Sequence, residues 1–80
     1  MTKNVIIITG SSGYLGKSLV THFSKQYHVI GFDKIVKKNQ EIYKFYKTDL
    51  TNPISVKNSF KLIKEENYSI LINCAGKIQN

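Results

Sequence analysis

The feature that most constrains this chain is a set of three glycines directly after its most hydrophobic segment. Gly10, Gly13 and Gly16 recur every three residues in TGSSGYLG, immediately after the run NVIIIT at 4–9. That run is rich in β-branched residues and indicates a strand buried on both faces, as in a parallel sheet. The apolar residues of the segment 14–25 then recur at helical spacing; they are Leu15, Leu19, Val20 and Phe23. Glycine weakens strands and helices alike, so the glycines are assigned to the turn between a strand and a helix.

The rest of the chain divides into four segments with recognisable periodicity. They are predicted as a strand at 28–33, a strand at 41–48, a helix within 51–67 and a strand at 69–76. The strand at 41–48 alternates only in part, which indicates a less buried position. Thr51 or Asn52 can cap the helix, and Pro53 suits its first turn. The order β-α-β-β-α-β predicts an α/β fold with a parallel sheet and right-handed crossovers.

Size and composition limit the classes of protein to which the chain can belong. Its 80 residues allow one small domain, and a hydrophobic share of 41% argues against disorder. No apolar run approaches the roughly 18 residues that a membrane span requires, so we expect no membrane partner. The only cysteine, Cys74, allows neither an internal disulfide nor a metal cluster. We therefore expect a cytoplasmic protein without a bound metal.

The net charge of +7 raises the question of nucleic acid binding. All twelve basic residues are lysines, so the chain lacks the arginines that make bidentate contacts with phosphate and guanine. The lysines are scattered from Lys3 to Lys77, and only Lys34, Lys37 and Lys38 form a local cluster. We expect solvated lysines, and a nucleic acid partner is the less favoured alternative.

A strand, a glycine-rich turn and a helix in this order form the fingerprint of dinucleotide-binding proteins with a Rossmann fold. Gly10 would make the tight exit from the strand, Gly13 would let the backbone approach a pyrophosphate, and Gly16 would let the helix pack closely. The phosphates would lie at the helix N-terminus, where free N–H groups and the helix dipole favour an anion. The hydroxyls of Ser11 and Ser12 are expected as further donors.

Asp33, at the end of the second predicted strand, bears on the identity of the dinucleotide. A carboxylate there can accept hydrogen bonds from both ribose hydroxyls and repel a 2′-phosphate, which favours NAD over NADP. Lys34, Lys37 and Lys38 argue in the other direction, because cations can hold a 2′-phosphate. NAD is the expected cofactor and NADP the alternative. A P-loop site is disfavoured, because Ser11 stands where that motif has its first glycine.

Four pieces of the sequence together resemble the short-chain dehydrogenase/reductase superfamily. TGSSGYLG is similar to the glycine motif of its extended branch, which includes NAD-dependent epimerases and dehydratases. The classical branch has its middle glycine where this chain has Tyr14. Asp33 matches the acidic residue after the second strand, and TDLTN at 48–52 resembles the Asp-Leu pair after the third. NCAG at 73–76 resembles the Asn-Asn-Ala-Gly motif, with Cys74 in place of the second Asn.

The glycine motif and the resemblance together assign the cofactor-binding residues. The resemblance implies that Asp49 meets the adenine edge and that Leu50 packs nearby. The full set of cofactor-binding residues is Gly10, Ser11, Ser12, Gly13, Tyr14, Leu15, Gly16, Asp33, Asp49, Leu50, Asn73, Ala75 and Gly76.

No catalytic residue is assigned in this sequence. The resemblance implies a Tyr-x-x-x-Lys pair on a helix after the fourth strand, whereas Tyr43 and Lys47 precede that strand and fall in a predicted strand themselves. We expect residues 1–80 to be the N-terminal, truncated portion of an NAD(P)-binding Rossmann domain that is not catalytic alone. The whole protein would act on a small molecule such as a nucleotide sugar. The alternatives are a classical-branch oxidoreductase and a non-catalytic nucleotide-binding module.

Overall fold

The computed structural model of the chain describes residues 4–36, 39–63 and 68–74. The elements are β1 (Asn4–Thr9), α1 (Tyr14–Phe23), β2 (Tyr27–Asp33), β3 (Lys44–Lys47), α2 (Pro53–Leu62) and β4 (Tyr68–Asn73). The order β-α-β-β-α-β is therefore confirmed. The predicted ends of the second helix at 64–67 and of the last strand at 75–76 lie outside the described residues.

Two elements are shorter than the sequence predicts, and local hydrogen bonds explain both differences. The first helix ends at Phe23, because the Gln26 N–H donates to the Phe23 carbonyl and closes a turn there. The third strand begins only at Lys44, because Asn39 closes a turn before it. The Asn39 side chain accepts from the Glu41 N–H at 2.9 Å, and its carbonyl accepts from the Ile42 N–H. Asparagine favours such turns because its side chain bonds to the backbone two residues later.

The four strands form one parallel sheet in the order β3-β2-β1-β4. The chain thus builds outward from β1 to β3, and then crosses the sheet to place β4 on the other side of β1. In parallel sheets a ligand crevice forms at such a reversal, outside the carboxyl ends of the strands. Here those ends are Thr9, Asp33, Lys47 and Asn73, with Thr9 paired to Asn73 and Asp33 paired to Lys47. The predicted α/β class and the partial Rossmann fold are confirmed.

The core lies on both faces of the sheet, as the apolar run of β1 predicts. On one face Ile6 and Ile8 pack with Val20 of α1 and Val29 of β2. On the other face Val5, Ile7, Ile30 and Phe32 pack with Ile63, which follows α2. Each helix therefore covers one side of a sheet whose central strand is almost completely buried.

The faces that the helices bury differ in one respect from the apolar pattern. Gly16 and Val20 are the buried residues of α1, whereas Leu15, expected in the apolar stripe, is 59% exposed. A small residue faces the sheet here, and the larger Leu15 is turned to the outside.

At the start of α2 the cap is Asn52, whose side chain accepts from the N–H groups of Ile54 and Ser55. Of the two capping residues considered, Asn52 is therefore the one used.

The strands at the two ends of the sheet are less covered than its centre. β3 has no buried residue, which agrees with its weak alternation. Tyr68, Ile70 and Leu71 of β4 are each more than a third exposed. Neither α1 nor α2 is long and apolar enough to cross a membrane.

Candidate functional site

A cleft of about 330 Å³ opens at the carboxyl end of the sheet. It collects residues from the glycine turn, the end of β2, the turn before α2 and the end of β4. The lining residues are Gly10, Ser12, Gly13, Asp33, Lys34, Ile35, Asp49, Leu50, Thr51 and Cys74. Six of the residues assigned from the sequence therefore surround one space, although they come from three separate segments of the chain.

Two of the three glycines are required by the protein itself. Gly10 has a φ of 73°, which side-chain-bearing residues rarely adopt, and its N–H donates to the Phe32 carbonyl at 2.7 Å. A Cβ on Gly16 would overlap the Gly10 carbonyl oxygen and lie 2.8 Å from the carbonyl carbon. These contacts turn the chain sharply after β1 and bring α1 against the turn, in the roles predicted for both residues.

Gly13 is different, because nothing in the described protein requires a glycine there. Its φ of −79° and ψ of 176° are ordinary extended backbone. A Cβ built on it would meet only the Gly10 carbonyl oxygen, at an unstrained 3.4 Å. Gly13 is exposed and lines the cleft. An added side chain would therefore be tolerated by the fold and would project into space next to the helix N-terminus.

The N-terminus of α1 carries backbone donors with no acceptor among the described residues. The first intrahelical bond runs from the Lys17 N–H to the Gly13 carbonyl at 2.8 Å, and the Gly13 N–H donates to Gly10. The N–H groups of Tyr14, Leu15 and Gly16 are left over, as at any helix start. No side chain caps this end, and the first turn holds no acidic residue. The arrangement offers oriented donors and the positive end of a dipole to an anion.

The Asp33 carboxylate is fixed by two backbone donors, one from the glycine turn and one from the loop after β2. Its Oδ2 accepts from the Ser12 N–H at 2.9 Å, and its Oδ1 accepts from the Ile35 N–H at 3.0 Å. A carboxylate oxygen has two acceptor positions, so each oxygen keeps capacity for one further donor. Asp33 therefore lines the cleft with one unused acceptor position on each carboxylate oxygen.

The two serine hydroxyls, expected as further donors, have different surroundings in the protein. The Ser12 hydroxyl donates to the Ile35 carbonyl at 2.7 Å, which ties the glycine turn to the loop after β2. Ser11 is 1% exposed, and its Oγ has no hydrogen-bond partner among the described residues. That side chain lies over Gly31, where an added Cβ would meet Ser11 Oγ at 2.5 Å. Ser11 and Ser12 thus shape the turn through packing and a bond to the protein.

Asp49 and Leu50 line the cleft opposite the glycine turn. Asp49 Oδ1 accepts from both the N–H and the hydroxyl of Thr51, at 3.0 and 2.6 Å. These hydrogen bonds, with a smaller contribution from the Lys34 charge, hold the pKa of Asp49 below its usual value of 3.8. Asp49 is therefore an ionised, oriented acceptor near neutral pH.

The end of β4 is tied to the end of β1 beside the cleft. The Thr9 hydroxyl donates to Asn73 Oδ1 at 2.7 Å, and the Cys74 N–H donates to the Thr9 carbonyl. The Asn73 side chain thus links β4 to β1, while Cys74 lines the cleft. Burial raises the pKa of the Cys74 thiol, which keeps it protonated and weakly nucleophilic. Ala75 and Gly76 lie outside the described residues.

Tyr43 and Lys47, which were not assigned to catalysis from the sequence, lie at β3 and not on a helix. Lys47 is the last residue of β3, and Tyr43 immediately precedes that strand. The Tyr43 ring stacks on His28, with the ring centroids 4.1 Å apart. Among residues 4–36, 39–63 and 68–74, no group of three His, Cys, Asp or Glu residues could hold a metal ion.

Besides Lys34 and Cys74, which line the cleft, three contributors to the site are absent from the set assigned on sequence. Thr9 joins β1 to β4, Ile35 anchors the loop after β2, and Thr51 holds Asp49. Only Thr51 carries a local signal, because a carboxylate and a hydroxyl two residues apart often close a side-chain-to-backbone turn. The bonds of Thr9 and Ile35 join residues more than twenty positions apart and leave no such trace.

Comparison with known proteins extends these observations. Residues 6–80 match the model of a family described as NAD dependent epimerase/dehydratase. An aldohexose dehydrogenase from Thermoplasma acidophilum, in ligand-free form, is 30% identical with a TM-score of 0.84. That match covers 98% of this chain and 31% of the dehydrogenase. No curated protein sequence matches significantly.

Two further solved structures contain a nicotinamide dinucleotide. A short chain dehydrogenase from Leptospira borgpetersenii with bound NAD⁺ is 31% identical, with a TM-score of 0.73, over 96% of this chain and 33% of that one. A 4-hydroxyisoleucine dehydrogenase complexed with NADH and succinate is 30% identical, also with a TM-score of 0.73, over 90% and 35%. This chain spans about a third of the length of these three structures. The strand order, the glycine turn and the family match agree, and the chain belongs to the NAD-dependent epimerase/dehydratase family.

Proposed function

We propose that the chain binds NAD at the carboxyl end of its sheet, as the cofactor-binding portion of an epimerase, dehydratase or reductase. The observation that carries this proposal is that the fold does not require a glycine at position 13. The fold tolerates a side chain at this position, so the absence of one is explained by a molecule that approaches the backbone from outside. The pyrophosphate would accept hydrogen bonds from the free N–H groups at the start of α1.

The adenosine half of the cofactor would occupy the cleft between the glycine turn and the turn before α2. Asp33 would accept hydrogen bonds from the ribose hydroxyls through the acceptor positions that its backbone bonds leave open. Its negative charge disfavours a 2′-phosphate, which supports NAD over NADP. Leu50 and Ile35 would supply apolar contacts for the base.

Catalysis would be supplied by protein outside these 80 residues. The proposal assigns the two carboxylates of the cleft, Asp33 and Asp49, to the cofactor, and it assigns no described residue to hydride transfer. The whole protein would act on a small molecule, such as a nucleotide sugar, and the chain alone would not turn over. We also propose that the protein is cytoplasmic, because the only cysteine of the chain cannot form an internal disulfide.

Titration calorimetry with NAD on the 80-residue chain and its Gly13→Val variant tests the cofactor site. We expect the chain to bind NAD and the variant to lose at least roughly tenfold in affinity, because its side chain occupies the pyrophosphate position. Asn58→Val, at an exposed position of α2 away from the cleft, is the matched control and should bind normally. Equal NAD affinity of the unmodified chain and the Gly13→Val variant would contradict the proposal.

A second assay tests the division between cofactor binding and catalysis. The chain is incubated with NAD or NADH and a panel of nucleotide sugars, and the absorbance of NADH is followed. We expect no turnover above buffer. Clear oxidation, reduction or epimerisation by the chain alone would show that it holds its own catalytic residues.

A further inference from the structure

We infer that Thr51 is a positioning residue that orients the Asp49 carboxylate, and that it thereby makes the cleft select a 6-amino purine over a 6-oxo purine. The inference rests on the proposed function, because it concerns the base end of the same dinucleotide. Thr51 follows the Asp-Leu pair in TDLTN and was assigned no cofactor contact, so its role here rests on its contacts with Asp49.

The geometry around Asp49 concentrates both available donors on one oxygen. The Thr51 N–H lies 3.0 Å from Oδ1 and the Thr51 hydroxyl lies 2.6 Å from the same atom. Among the described residues, no donor is hydrogen-bonded to Oδ2. The carboxylate plane is thus fixed by two bonds from one residue, and Oδ2 keeps its acceptor positions on a residue that lines the cleft.

The backbone of this turn is fixed independently of the Thr51 side chain. The Asp49 N–H donates to the Ser55 hydroxyl at 2.9 Å, and the Asn52 N–H donates to the Asp49 carbonyl. Asn52 in turn caps α2. The main chain at Asp49 is therefore anchored to the helix, and removal of the Thr51 hydroxyl loosens mainly the carboxylate, which keeps, among the described residues, only its bond to the Thr51 N–H.

The chemistry of the two purine classes differs at the atom that such a carboxylate would meet. The 6-amino group of adenine donates hydrogen bonds, whereas the 6-oxo group of hypoxanthine only accepts them. An ionised oxygen held in place attracts the first and repels the second, while one that rotates can turn away from the oxo group. Orientation by Thr51 therefore contributes selectivity, besides whatever affinity the carboxylate gives.

The Thr51 side chain makes few other contacts that stabilise the fold. Its side chain is exposed, and it belongs to neither apolar cluster of the core. Its hydroxyl has Asp49 as its only hydrogen-bond partner among the described residues. The position therefore allows a substitution that removes one hydroxyl without creating a cavity.

The test compares the affinities of NAD and of nicotinamide hypoxanthine dinucleotide for the chain and two variants. Thr51→Val removes the hydroxyl at nearly constant shape, and Thr51→Ser keeps it. We expect the unmodified chain and Thr51→Ser to prefer NAD by roughly tenfold. Thr51→Val should reduce that preference to roughly threefold or less. Asp49→Ala should remove the preference, and Thr51→Val should have no further effect on it in that background.

Each outcome decides a separate point. If the unmodified chain binds neither dinucleotide, the proposed function fails and this inference fails with it. If the chain binds NAD but Thr51→Val leaves the preference unchanged, the role of Thr51 is refuted while NAD binding stands. A preference lost equally in Thr51→Ser would also refute it, since the hydroxyl would then not be the relevant group. The ratio of two affinities is insensitive to a partly unfolded fraction, so a destabilised variant still gives an answer.

Discussion

The backbone N–H of Ser12 donates a 2.9 Å hydrogen bond to the Asp33 carboxylate, across 21 positions of sequence. The bond joins the turn after β1 to the end of β2. The Ser12 hydroxyl adds a second link, to Ile35 in the following loop. The two sequence signals that indicated a dinucleotide, the glycine turn and the acidic residue, are thus parts of one hydrogen-bonded unit.

Gly13→Ala and Gly16→Ala should separate ligand binding from folding. Gly16→Ala should destabilise the chain by at least about 2 kcal/mol, because the new methyl group overlaps the Gly10 carbonyl. Gly13→Ala should change stability by no more than about 1 kcal/mol, since its backbone geometry suits any residue. Urea denaturation followed by circular dichroism measures both. Equal losses would mean that Gly13 also serves the fold.

Asp33→Asn should change which dinucleotide is preferred. It removes the charge that repels a 2′-phosphate and weakens the bonds to the ribose hydroxyls, so NAD affinity should fall by roughly tenfold. NADP affinity should fall less or rise. Glu41→Gln makes the same charge change at an exposed carboxylate outside this cleft and serves as the control. An unchanged ratio of NAD to NADP affinity in Asp33→Asn would argue against a ribose contact.

Gly31 and Ser11 should show energetic coupling in a double-mutant cycle. Gly31→Ala places a methyl group 2.5 Å from Ser11 Oγ and 3.1 Å from Ile42 Cδ1, and should cost about 1–3 kcal/mol. Ser11→Gly removes one of these clashes. The double variant should therefore lose about 1 kcal/mol less unfolding free energy than the sum of the losses in the two single variants. Strict additivity in thermal denaturation would mean that the two residues do not compete for this space.

Asp49 should make a pH-dependent contribution to stability that depends on Thr51. Its native pKa is below the ordinary 3.8, so the stabilising effect is complete above that value and is lost as the pH falls through the native pKa. Thr51→Val should raise the pKa of Asp49 toward 3.8. The two proteins should differ in stability at neutral pH and converge in acid well below 3.8. A carboxyl ¹³C NMR titration reports the pKa directly, and an identical titration in both proteins would contradict this account.

Much of the site was predictable because its signals are local. The run at 4–9 and the glycine spacing placed a turn between a strand and a helix, and the structure agrees at Gly10 and Gly16. Asp33 was predicted from its place at the end of a strand. By contrast, Leu15 was predicted to face the core and is exposed, because the close approach of α1 at Gly16 sets which side of the helix is buried.

The sequence by itself determined the element order, the parallel α/β class and the position of the glycine turn, because periodicity, β-branching and glycine spacing act over a few neighbouring residues. Only the tertiary structure decided how the side chains at the ends of the strands are used. In that structure the Ser11 side chain packs over Gly31, and the Thr51 hydroxyl donates to the Asp49 carboxylate. It also showed that Gly13 is not required by the fold. These roles depend on which atoms meet after residues distant in sequence come together, and spacing along the chain does not carry that information.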